Sequence, residues 1–255
     1  MTDFPWPVQI FSEFVGTAVL LLIGVGVSAN VTLSKARGNR GDWLLASFGW
    51  AFGVFTGAAI AWRSGGQLNP AVSVAQSLTG DQEWALTGLF FIAQLLGAFT
   101  GALLAYLAYK KQFDTHEEPE NTGGIFFTSP TVRAPGWNVV SEAIATFVLI
   151  FWVLESSPSQ IGIGDSLFSD EIRSALSYAA VAFVILAIAT GLGGPTGYAI
   201  NPVRDLAPRI FYAIVPIKGK GSSDWSYAWV PIAGPLLGSV AAFGLFSIGQ
   251  SLGTT

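Results

Sequence analysis

Apolar residues fill six long stretches of this chain, at roughly 8–31, 43–62, 84–109, 137–154, 173–190 and 227–249. Each is close to the ~20 residues that a helix needs to cross a hydrocarbon core of about 30 Å. Polar and charged positions collect between them, so the pattern predicts six membrane-spanning helices. Trp43, Trp62, Trp84, Trp137 and Trp229 fall at or near the stretch ends, where indoles anchor a helix at the membrane interface. The first stretch lacks a basic lead-in and a small-residue cleavage site, so it reads as a retained span.

Two shorter segments break this rhythm. One is Ser64-Gly65-Gly66-Gln67-Leu68-Asn69-Pro70-Ala71-Val72, and the other is Pro195-Thr196-Gly197-Tyr198-Ala199-Ile200-Asn201-Pro202-Val203-Arg204. Each is a Gly-containing stretch, then Asn-Pro, then roughly ten helix-competent residues. Asn is a good helix N-cap, and Pro suits the first helical position. Residues 70–78 are too few to span a bilayer. Non-helical backbone at membrane depth survives only where protein buries it or it lines water. The segments 64–68 and 193–200 are therefore expected to line a cavity, with their glycines allowing unusual backbone angles.

The two halves echo each other elsewhere. Ser12-Glu13 opens the first stretch and Ser141-Glu142 the fourth; Ala93-Gln94-Leu95-Leu96-Gly97 is matched by Gly234-Pro235-Leu236-Leu237-Gly238. The halves are about 1–110 and 137–255 within one channel domain 1–255, joined by a polar loop 111–136. With three spans each, the second half inserts upside down relative to the first. The fold class expected is an all-α membrane protein of six transmembrane helices plus two re-entrant half-helices in an inverted repeat.

Composition agrees. Charged residues are 11% of the chain and hydrophobic ones 51%, and the mean hydropathy is +0.55. There is no cysteine, hence no disulfide and no thiolate metal site. No basic stripe suggests nucleic acid. No catalytic group, metal site or cofactor is expected.

These motifs make the chain resemble the aquaporin superfamily, or major intrinsic proteins, along nearly its whole length. It is most similar to the glycerol facilitators, the aquaglyceroporin branch. The stretch Phe127-Thr128-Ser129-Pro130 with Arg133 also resembles the central loop of those facilitators. Asp205 after Arg204, Arg209, and Pro231-Ile232 resemble facilitators more than water-only channels. The resemblance implies a passive channel for glycerol, water and small uncharged solutes. It also implies a homotetramer in the cell membrane with one pore per protomer.

By the same resemblance, Asn69 and Asn201 donate to the permeating molecule at mid-channel, within the motifs Asn69-Pro70-Ala71 and Asn201-Pro202-Val203. Arg204, Tyr198 and Trp50 form a selectivity constriction. Ungapped alignment gives Gly49 instead, and a one-residue deletion near Arg63 gives Trp50, which keeps helix packing. Ala189 or Gly191 fills the remaining wall. Carbonyls of Gly65, Gly66, Gln67, Leu68, Gly197, Ala199 and Ile200 line the pore, while Glu13, Glu142 and Asp205 brace the loops. An intramembrane Arg is a functional residue by default.

Three departures stand out. Val203 replaces the usual Ala and is expected to pack near Ala71. Gln67 replaces the usual His. The only histidine, His116, lies in the acidic linker as a solvated residue, so no His narrows the constriction. The resemblance puts both termini in the cytoplasm, against the positive-inside rule: the outer loops then hold most of the Lys and Arg. The alternatives are a water-selective channel and a coupled transporter, for which only Glu13 and Glu142 could be ion-binding acids.

Overall fold

The computed structural model describes residues 4–156 and 170–253, with side chains of the helix that begins at residue 170 described from residue 177 onward. The chain runs α1 (Trp6–Thr32), α2 (Trp43–Ile60), the short α3 (Pro70–Leu78), α4 (Trp84–Ala108), and two small helices α5 (Lys110–Asp114) and α6 (Gly123–Phe126). It continues with α7 (Pro135–Glu155), α8 (Asp170–Leu192), α9 (Pro202–Ile214) and α10 (Val230–Leu252). Among the described residues the regular structure is entirely helical. Helices α1, α2, α4, α7 and α10 are long and apolar enough to cross a membrane, and α8 is apolar over Ser177–Leu192. Arg173, where the fifth span was expected to begin, carries a side chain outside the described residues.

Glycines set the helix spacing. A methyl added at Gly97 would stand 2.3 Å from the Phe14 carbonyl oxygen, and one at Gly101 2.3 Å from that of Ala18, so α4 lies directly on the α1 backbone. Gly238 of α10 does the same against Ala143 of α7, at 2.4 Å. Gly16 and Gly57 meet where α1 crosses α2. Without a hydrophobic drive between helices in lipid, small residues that let backbones approach supply the packing. The outer faces remain apolar, with Trp137 and Phe183 more than two-thirds exposed.

The two short helices begin where capping predicts. The Asn69 Oδ1 accepts from Ala71 N at 2.9 Å, and the Asn201 Oδ1 accepts from Val203 N at 3.1 Å and Arg204 N at 3.3 Å. Helix α3 is nine residues long, only about 14 Å at 1.5 Å per residue. The α9 C-terminus is capped by Lys220, which donates to the carbonyls of Tyr212, Ala213 and Val215.

The linker departs from the polar loop read in the sequence. Phe113, Ile125, Phe126 and Phe127 are buried in the main core, where Phe126 packs against Phe211 and Tyr212 of α9. The charges crowded between Lys110 and Glu120 dominate the composition of the linker and hid these residues. His116 is not a solvated residue either. Its Nδ1 accepts from the Ser34 backbone N–H at 3.1 Å and lies 2.8 Å from the Ser34 hydroxyl, clasping the loop after α1.

Candidate functional site

The extended segments before α3 and α9 share one geometry. Leu68 and Ile200, immediately before the two Asn caps, both have left-handed backbones, at φ 53° and 44°. Such angles are rare for branched residues and persist only when the surroundings fix them. Buried carboxylates do so. Glu13 Oε1 accepts from Gln67 N at 3.0 Å and Oε2 from Leu68 N at 2.7 Å. Glu142 Oε1 accepts from Ala199 N at 2.9 Å and Oε2 from Ile200 N at 2.8 Å. Glu13 also receives the Ser64 hydroxyl and the Gln94 amide.

The Asn caps then lock the segments to each other. Asn69 Nδ2 donates to the Ile200 carbonyl, and Asn201 Nδ2 to the Leu68 carbonyl, each at 2.8 Å. An amide nitrogen carries two hydrogens, so each Asn keeps a second N–H, and both residues line the same cavity. The positive N-terminal ends of α3 and α9 face each other there.

That cavity has a volume of about 610 Å³. Its lining includes apolar residues, among them Leu20, Val54, Leu149, Val153 and Ile185, together with residues 64–68 and 199–200 of the two extended segments. Trp50, Tyr198 and Arg204 also line it. The Arg204 guanidinium carbon lies 3.7 Å from the Trp50 ring centroid. Its Nη1 is buried with no hydrogen-bond partner. Trp50 Nε1 donates to Ser28 Oγ at 3.1 Å, and Trp43 meets Tyr198 edge-on.

The sequence assignments divide on this geometry. Gly49, the alternative to Trp50, faces Val27 of α1, where an added methyl would stand 2.5 Å from its side chain. Ala189 is fully buried and does not line the cavity; its carbonyl accepts from Trp43 Nε1 at 2.9 Å. Ile185, one turn earlier on α8, lines it instead. Gly191 is exposed and outside the lining. Gly197, at φ 81°, packs next to Thr128, which an added methyl would meet at 3.3 Å. Of the motif residues, Asn69 and Asn201 reach the wall, while Pro70, Ala71, Pro202 and Val203 pack behind it. Val203 and Ala71 are both fully buried, and the two short helices that carry them are in contact.

Asp205 and Arg209 form a buried pair one helical turn apart. Arg209 Nε donates to Asp205 Oδ1 at 2.7 Å, and its other nitrogens reach the Ser223, Asp224 and Thr128 carbonyls. Asp205 Oδ2 accepts from the Thr128 N–H and hydroxyl. The pair thus ties α9 to the linker and to the loop before α10. Sequence reasoning missed Gln94, which bridges Glu13 to Ser73 Oγ. Its signal was one amide in an otherwise apolar span. It also missed Ser28, which pins Trp50.

A helical bundle with short helices meeting end to end over an internal cavity defines a membrane channel. The chain matches the family described as "Major intrinsic protein" over residues 3–246 and belongs to it. It is 41% identical to "Glycerol uptake facilitator protein 3" of Lactiplantibacillus plantarum, over 97% of this chain and 99% of that one. It is 40% identical to "Probable glycerol uptake facilitator protein" of Thermotoga maritima, over 92% and 97%. Its fold is similar to the X-ray structure of the aquaglyceroporin from Plasmodium falciparum, with a TM-score of 0.77, 29% identity, and 95% and 96% of the two chains covered.

Proposed function

We propose that this chain lets glycerol and similar small uncharged solutes, with some water, diffuse passively across the membrane while excluding ions and protons. The observation that carries the reading is the unpartnered, buried Nη1 of Arg204 beside Trp50 and Tyr198, on a cavity lined by both apolar side chains and the two extended segments. Glycerol has a carbon edge and a hydroxyl edge. The two aromatics take the carbons. Arg204, with five donors in a rigid fork, and the loop carbonyls take the hydroxyls. A hydroxyl left unpaired in the pore would cost roughly 2–7 kcal/mol, enough to stop flow. Each replacement bond is worth only about 1 kcal/mol net, weak enough to release the solute.

The free N–H groups of Asn69 and Asn201 carry the solute past the centre. The two positive helix ends there repel cations and orient hydroxyls or water, which opposes proton transfer. The glycerol named in both bacterial relatives, and the aquaglyceroporin of similar fold, support the same substrate class. The reading includes one domain over residues 1–255, with inverted-repeat halves 1–110 and 137–255. The like pairings of α1 with α4 and of α7 with α10, and the matched roles of Glu13 and Glu142, support this. It also includes a homotetramer in the cell membrane, on the strength of the resemblance. The structure does not favour a coupled transporter: neither Glu13 nor Glu142 lines the cavity, both are occupied by bracing N–H groups, and the acids that do line it, Asp81 and Glu83, are exposed.

The test is a solute series in proteoliposomes. Glycerol entry should rise linearly with concentration and ignore Na⁺ and H⁺ gradients, while glycerol 3-phosphate is excluded. Saturating or gradient-driven uptake would contradict the proposal.

A further inference from the structure

Trp50 is held from more than one direction. A methyl built on Gly24 would lie 2.3 Å from two of its ring carbons and 2.7 Å from a third, so the bare Gly24 backbone lies against the ring face. Arg204 stacks over the ring at 3.7 Å, and it cannot share the face that Gly24 covers. One turn on from Gly24, Ser28 Oγ receives the indole N–H at 3.1 Å and donates to the Gly24 carbonyl at 3.1 Å. Gly24 and Ser28 thus form a seat on α1 for the indole. Neither residue lines the cavity.

We infer that Gly24 is a specificity-determining positioning residue: by letting the Trp50 ring lie flat on α1, it sets how wide the channel is beside Arg204. The inference rests on the glycerol-channel reading. Ordinary carbon–carbon contact is about 3.5–4 Å, so an alanine methyl at position 24 drives the ring off α1 by roughly 1 Å. The indole N–H is pinned to Ser28, so the ring moves toward Arg204 and into the passage. Glycerol, with its carbon edge against the ring, loses room before water does.

The experiment compares wild type, Gly24→Ala, Trp50→Phe and Gly24→Ala with Trp50→Phe in proteoliposomes, each measured for both glycerol and water permeability. A pocket change of one methyl group shifts discrimination by at least about ten-fold. The glycerol-to-water ratio is therefore expected to fall about that much from wild type to Gly24→Ala, and to change little from Trp50→Phe to the double variant, because the smaller ring leaves room for the methyl. A ratio that stays at the wild-type value, or glycerol and water falling by the same factor, overturns the inference. If Gly24→Ala does not fold, Ser28→Ala takes its place. Freeing the indole N–H should change the ratio several-fold, and an unchanged ratio overturns the inference. Wild type that passes no glycerol defeats the channel reading itself, which is a different result from wild type and Gly24→Ala passing it alike.

Discussion

The buried carboxylates are the residues on which the cavity geometry turns. Glu142 gives one oxygen to each of two successive N–H groups, on Ala199 and Ile200, and so holds Ile200 in a left-handed backbone with its carbonyl toward Asn69. Glu142→Gln replaces one acceptor by a donor. It should leave an N–H unsatisfied at about 1–3 kcal/mol, lowering the thermal midpoint in detergent and abolishing glycerol flux in vesicles. Flux that survives with only its proton dependence altered would point to a relay instead. Outside the membrane, Arg133 makes a two-pronged pair with Asp224 and, by that hydrogen bond, holds the Asp224 carboxyl below its usual range. A depressed carboxyl stabilises the fold above its unfolded value and stops doing so as pH falls through the folded one. The stability gap between wild type and Asp224→Asn should therefore be present at neutral pH and close below about pH 4, as read by thermal melts across pH. The sequence revealed Asn69, Asn201, Arg204 and the paired glutamates, because each is a polar residue or motif out of place in an apolar stretch. It did not reveal the left-handed Leu68 and Ile200, since no side-chain preference marks them; the bracing N–H bonds impose that conformation from outside.

At the scale of elements, capping and glycine spacing account for most of the architecture. Pro70–Leu78 begins and ends as its Asn-Pro start and short length require, and the long helices fall within a few residues of the apolar stretches. The linker was the hardest to read. Its aromatic side chains serve a tertiary core that periodicity cannot show, because short helices and turns carry them. On α8, Ala189 lies one turn after Ile185, which lines the cavity, and the Ala189 carbonyl holds Trp43 against Tyr198. The close contact of α4 with α1 through Gly97 makes a specific demand on spacing. Gly97→Ala should push the helices apart and destabilise the protein by about 1–3 kcal/mol, as overpacking does. The check is a lower thermal midpoint, and an unchanged one would mean that α1 and α4 can separate freely.

For the whole molecule, two short helices come in from separate parts of the chain and are joined by reciprocal Asn-to-carbonyl bonds. Their junction borders a cavity lined by both polar and apolar residues. That amphipathic lining distinguishes a polyol path from a purely polar water path. It depends on Trp50, Tyr198 and Arg204 keeping their places. The most direct test is stopped-flow light scattering on proteoliposomes of the wild-type protein, with glycerol and water gradients imposed in turn and empty vesicles as reference. The account predicts glycerol entry well above the empty-vesicle rate, together with measurable water flow. Rapid water flow with glycerol entry no faster than in empty vesicles would contradict it and leave a water-selective channel.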